Sequence, residues 1–181
     1  MAKYNDVLLT SEELIRTYTN IDDNVDSKYI LPSIYMAQKN DLEGLIGTKL
    51  TSKLKQMVFD NTIDTNEKYA ELLNDYINDY LAYATIVRLI PIVEFKIGNT
   101  GVILNKDEKM EKNSFAETFS LVDYYANQRD YLAYRLQKYL VENFSDFAEL
   151  TENDVADVKA NLLYSANCAI YLGGKRGKTI I

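Results

Sequence analysis

The sequence predicts a mainly α fold, a small helical bundle that carries one β-hairpin and ends in an extended C-terminal arm. Three observations predict it. Apolar residues return at the i, i+3, i+4, i+7 spacing of a helix, most clearly at Tyr69, Leu72, Leu73, Tyr76, Ile77, Tyr80, Leu81, Ala84 and Val87. One stretch, residues 93–105, alternates apolar residues around glycines as strands do. The last stretch, Cys168 to Ile181, is broken by glycines and locally basic. The chain therefore divides into a helical domain over 1–167, hairpin included, and an arm over 168–181. With 181 residues, 47 % of them hydrophobic, it has the length and apolar content to bury an ordinary core.

In chain order, Ser11 is placed to cap a short first helix. Glu12 and Glu13 follow where a helix N-terminus favours negative charge, and Thr17 to Asn20 end it. After the acidic loop Ile21-Asp22-Asp23-Asn24, a second helix runs to about Ile46, with Ile30, Ile34, Ala37, Leu42 and Leu45 on one face. Pro32 sits near its start or kinks it, because proline removes a donor and crowds the preceding turn. Gly44 and Gly47 suit its stop, and Leu50, Leu54 and Val58 mark a further short helix to about Phe59. The core helix then spans Glu67 to Ile90, closed by Pro91. Val93 to Ile97, a turn at Gly98-Asn99-Thr100-Gly101, and Val102 to Leu104 make the hairpin. A lone hairpin is marginal in water, so it needs its own domain or a neighbouring chain to lie on.

Beyond the polar connector Lys106 to Asn113, Ser114 caps a long helix reaching about Phe144. Phe115, Phe119, Val122, Ala126, Arg129, Ala133, Leu136 and Leu140 trace one face, while Tyr124, Tyr131, Tyr134 and Tyr139 spread over others. A helix apolar on more than one side is either buried centrally or meets its own domain on one face and a partner on another. A last helix begins at Thr151 or Asn153 and runs through Val155, Val158, Leu162 and Ala166.

Composition excludes several chemistries. There is no histidine and one cysteine, Cys168, so a Cys/His zinc site, a Ser-His or Cys-His nucleophile pair and an internal disulfide are all out of reach. No cofactor is expected. The 27 acidic against 20 basic residues leave a formal charge of −7, which argues against a general binder of phosphate backbones. No stretch has the length and apolarity of a membrane span, and the first residues lack the form of a signal peptide, so a cytosol-like compartment and no membrane partner are expected. The aromatic set is 15 Tyr and 6 Phe without Trp. Phenols suit surfaces that are half buried and half wet, as subunit contacts are. A composition rich in AT-codon residues accounts equally well for their number.

The motifs that suggest chemistry fail on their own terms. Gly173-Gly174-Lys175-Arg176-Gly177-Lys178-Thr179 invites a phosphate loop, but the required first glycine falls on Leu172, and only Ile180 and Ile181 follow where a helix must open. Asp22-Asp23-Asn24-Val25-Asp26 starts like a calcium loop, yet its sixth position is Ser27 and its twelfth Ser33, leaving a cluster of helix caps. The carboxylate pairs Glu12/Glu13 and Asp75/Asp79, and the group Asp107, Glu108 and Glu111, read as solvated surface with no apolar pocket to shift a pKa. An enzyme is not expected. Cys168 reads as a small buried hydrophobe.

Several features converge on one family. Leu8-Leu9-Thr10-Ser11-Glu12-Glu13-Leu14, the step Ile21-Asp22-Asp23, the helix from Ile34 to Gly47 and the long helix Tyr69 to Pro91 resemble the head-to-tail connector proteins of tailed bacteriophages. The likeness is strongest to those of crAss-like phages, in the Asp-Asp-Asn-Val-Asp step, the Gly-Asn-Thr-Gly-Val hairpin and the Tyr-rich helix from Tyr124 to Leu140. It covers most of the chain and rests on packing patterns rather than chemistry. It implies a structural subunit of the virion neck, assembled in the bacterial cytoplasm as a ring of about twelve copies beneath the portal. Such a ring extends the DNA channel and offers a docking surface to other neck or tail proteins. It implies contact with a second copy, with the portal protein and with those neck or tail proteins, and with DNA only as passing cargo. Members of this type exchange hairpins or arms, and by position Phe95, Ile97, Asn99, Val102 and Leu104 of the hairpin and Tyr171, Lys175, Arg176 and Lys178 of the arm are the candidates here. Tyr124, Tyr131, Tyr134 and Tyr139 are the candidate contacts on the long helix. Lys106 to Ile181 departs from smaller members by an extra long helix and tail. The competing expectation is a helical adaptor or regulatory module that binds one partner through the same tyrosine face.

Overall fold

The computed structural model describes residues 6–98, 101–104 and 115–150. Five helices form the bundle: α1 (Glu12–Tyr18), α2 (27–46), α3 (Thr48–Phe59), α4 (67–94) and α5 (Phe115–Glu142). Two short strands, β1 (Phe95–Gly98) and β2 (Gly101–Leu104), follow α4 and pair antiparallel, Phe95 opposite Leu104 and Gly98 opposite Gly101. The expected helix over 151–166 and the arm over 168–181 lie outside the described residues.

Local chemistry sets most of the boundaries. The Ser11 hydroxyl accepts the Leu14 N–H at 3.2 Å, capping α1. Asp26 does the same for α2, accepting the Lys28 N–H at 3.0 Å. Gly47 separates α2 from α3 at φ 85°, a left-handed backbone that a side chain would strain, while its N–H closes on the Glu43 carbonyl at 3.0 Å. Pro32 lies within α2 on its exposed side, and the helix continues through it.

Three expectations need correction. Pro91 does not close the core helix, since α4 runs on to Glu94 and β1 opens only at Phe95, so Val93 and Glu94 are helical. Pro91 is exposed, so water can serve the carbonyl it leaves unbonded. Second, α2 and α4 are not uniform. Each holds one π-helical turn, Ala37–Leu42 and Leu72–Ile77, in which the Glu43 N–H reaches the Gln38 carbonyl and the Asn78 N–H the Leu73 carbonyl. Third, the face expected on α5 is one stripe, but its burial falls off toward the start of the helix. Leu136 and Leu140 are buried, Val122, Ala126, Arg129 and Ala133 half-buried, and Phe119 exposed.

α4 is the central helix. Its first half packs Tyr69, Leu72, Leu73, Ile77, Tyr80, Leu81 and Ala84 into the main core with α3, the end of α2 and the foot of α5. A smaller core, Ile15, Ile30, Ile34, Ala82 and Leu89, joins α4 to α1 and the first half of α2. Contacts to α5 come from Tyr76, Asp79, Tyr83 and Glu94, and those to α2 from Ala82, Arg88 and Leu89. At 100° per residue these two sets lie on opposite sides of α4. α2 and α5 therefore flank it, each with one face turned outward.

Candidate interaction surface

The foot of α5 belongs to the core. Tyr139, expected among the partner contacts, is only 6 % exposed. Its ring stacks on Tyr76 with centroids 4.2 Å apart and planes 26° from parallel, and its hydroxyl donates to Glu71 Oε2 at 2.8 Å. Burial, and then the Glu71 carboxylate, push this phenol's pKa up, so it stays a neutral donor. Phe147 closes the same corner, edge-on to Tyr69 at 5.2 Å, and the Tyr69 hydroxyl donates to Glu149. Tyr139 is therefore a packing residue, and the reading of it as a contact is wrong.

Further up, α5 turns its tyrosines outward. Tyr124, Tyr131 and Tyr134 are 57 %, 62 % and 52 % exposed, and their i, i+7, i+10 spacing puts them on one stripe. Phe119 and Leu121 are exposed beside them. Tyr125 leans inward, T-shaped against Tyr124 at 5.3 Å and tilted to Tyr83 at 6.2 Å, which seats the stripe on α4. Arg129 donates to Asp130 at 2.7 and 2.9 Å, and Arg135 reaches Asp79 at 3.7 Å while lying over the Tyr76 ring at 5.5 Å. Three phenols with ring faces in water give large contact area for little side-chain entropy, the chemistry of a partner surface.

The hairpin candidates Phe95, Ile97, Val102 and Leu104 lie on β1 and β2, with Phe95 paired to Leu104 and Ile97 to Val102. Asn99, Tyr171, Lys175, Arg176 and Lys178 fall outside the described residues. The hairpin leaves the bundle where α4 ends, and there the Thr118 hydroxyl donates to Glu94 Oε1 at 3.1 Å, fixing the start of α5 to the end of α4.

A second outward patch escaped the sequence reading. On α2, Leu31, Tyr35 and Met36 are exposed, opposite Ile30 and Ile34, with Lys28 and Lys39 beside them. The Lys28 ammonium sits 4.9 Å from the Tyr29 ring centre and that of Lys39 5.6 Å from Tyr35. The signal was present as the i, i+4 pair Leu31 and Tyr35, which falls off the face of Ile30, Ile34 and Ala37.

Several of the carboxylates that resembled chemistry have structural partners, and Asp107, Glu108 and Glu111 lie outside the described residues. Asp22 accepts the Asn24 N–H at 2.9 Å, and Asp26 caps α2. Arg16 gathers the loop, donating to Glu12 Oε1 and to the carbonyls of Asp22 and Val25, each within 2.6 to 3.0 Å. The bonds from Arg16 and then Ser27 hold the Glu12 carboxyl below its ordinary range. Asp79 is shifted up by burial, against the pull of Arg135, whereas Asp75 is exposed. Among the described residues no three His, Cys, Asp or Glu side chains are grouped to hold a metal ion, and no helix is long and apolar enough to cross a membrane.

No curated protein and no solved structure matches the chain. A family model does, over residues 42–160, which take in α3, α4, the hairpin and α5, and the chain belongs to the family it describes, a family of unknown function (DUF6712).

Proposed function

We propose that the chain is a non-enzymatic structural subunit of a tailed-phage head-to-tail connector. In this reading, copies assemble as a ring beneath the portal, continue the DNA channel and present a surface to other neck or tail proteins. The outward stripe of Tyr124, Tyr131 and Tyr134 on α5 carries the reading, because among the described residues it is an exposed run of aromatic side chains suited to a partner. The resemblance of the sequence to connector proteins supports it. So does the charge: a wall of subunits at −7 each repels the phosphate backbone and lets DNA slide.

The test is to mix the purified chain with its portal and record negative-stain images and native mass spectra. Rings, alone at high concentration or seated on the portal, are the expected result. Monomers only, with and without portal, overturn the proposal. A stable one-to-one complex that never closes assigns the tyrosine stripe to a helical adaptor or regulatory module instead.

A further inference from the structure

The outward faces of α2 and α5 differ in charge as well as position. Residues 27–40 carry Lys28 and Lys39 and no acid, and Asp26, just ahead of them, pairs with Lys28 at 2.7 Å, which leaves the face a net positive charge centred on Lys39. Residues 116–131 carry Glu117, Asp123 and Asp130 against the single base Arg129. Each face has exposed aromatic and aliphatic surface between its charges, Leu31, Tyr35 and Met36 on α2 and Leu121, Tyr124 and Tyr131 on α5. They lie on opposite sides of α4. A basic apolar patch and an acidic aromatic patch on opposite sides of one subunit are complementary to each other but not to themselves, since α2 against α2 sets lysine facing lysine and α5 against α5 sets aspartate facing aspartate. Such a pair makes a head-to-tail contact, and a head-to-tail contact closes a ring when its rotation divides the circle.

We infer that the occupant of each patch is a second copy of this chain, the α2 face of one subunit docking on the α5 face of the next. The inference rests on the ring reading and deepens it by naming the two surfaces. Lys39 steers the approach and fixes register against Asp123, with Lys28 and Asp130, each ion-paired within its own chain to Asp26 and Arg129, adding the weaker outer charges, while the apolar side chains between them supply the buried area. Because every subunit uses both faces, loss of either face stops closure.

Charge reversal tests this. One variant carries Lys28→Glu and Lys39→Glu, the other Asp123→Lys and Asp130→Lys, and all four positions are on the surface or at its edge, so both variants fold. Each variant alone loses ring formation. A one-to-one mixture recovers it to the wild-type level, since each α2 face then meets an α5 face of opposite sign. Recovery also shows that both variants were folded. Variants that ring as well as wild type, or a mixture that stays monomeric, overturn the inference and leave the connector reading standing. A wild-type chain that forms no ring with or without portal overturns both.

Discussion

Two buried polar side chains show how the same chemistry acquires opposite signs. Gln38, 1 % exposed in the π turn of α2, accepts the Leu9 N–H at 2.7 Å and donates to the Val7 carbonyl at 2.9 Å. It gives the backbone of the segment before α1 one donor and one acceptor. Thr85, fully buried on α4, has a hydroxyl with no hydrogen-bond partner among the described residues. An unmade bond costs more than a made one returns, so the two sites respond differently to an apolar replacement of similar size. Gln38→Leu leaves both backbone groups of residues 7 and 9 unpaired and costs about 3 kcal/mol. Thr85→Val removes a desolvated hydroxyl at almost no change in shape and gains about 1 kcal/mol. Urea unfolding, read at the midpoint with unchanged slope, separates the two; a stabilised Gln38→Leu, or a Thr85→Val that loses stability, contradicts the reading of these sites.

At the scale of elements, the helices were legible because their apolar spacing is strong, and the irregularities were legible only in part. In α2 the stripe steps from Ala37 to Leu42, five residues, where an α-helix offers three or four; Asn40 and Asp41 stand where an apolar residue would fall. The π turn absorbs that extra residue, and by doing so it places Asp41 against Arg88, bonded at 2.6 and 2.7 Å, and Gln38 against the N-terminal segment. Nothing comparable breaks the stripe of α4, and its π turn left no mark in the sequence. Tyr139 was misplaced for a different reason. Whether a tyrosine on α5 is core or surface depends on what lies beneath it, and for Tyr139 that is Tyr76 and Phe147, the first of them more than sixty residues away. The distinction can be measured. Tyr139→Ala opens a hole in the core and costs about 3 kcal/mol or more. Tyr131→Ala, at an exposed position, shifts stability by no more than about 0.5 kcal/mol yet lowers ring assembly. Thermal unfolding and sedimentation of the two variants give the comparison; equal loss of stability in both would remove Tyr131 from the contact surface.

For the whole molecule, net charge and the helical class were legible in the sequence, and so were Tyr124, Tyr131 and Tyr134 as candidate contacts, but the placing of the α2 and α5 faces was not, because only the packing around α4 sets them apart. The charge also bears on the arm. Residues 168–181 hold Lys175, Arg176 and Lys178 and no acid, so removing them takes the chain from −7 to −10. Among the described residues the main core cluster runs as far as Phe147 and Leu150, ahead of that segment. Truncation after residue 167 therefore keeps the helical circular dichroism and the unfolding midpoint of the full chain, while rings are lost. Two causes of that loss are separable. If the arm acts only by offsetting repulsion among acidic subunits, raising the salt to about 1 M, where the Debye length is near 3 Å, restores assembly of the truncated chain. If the arm crosses to a neighbouring subunit and makes contacts there, salt restores nothing to the truncated chain. Rings from the truncated chain at ordinary salt would exclude the arm from assembly and leave the α2 and α5 faces to close the ring by themselves.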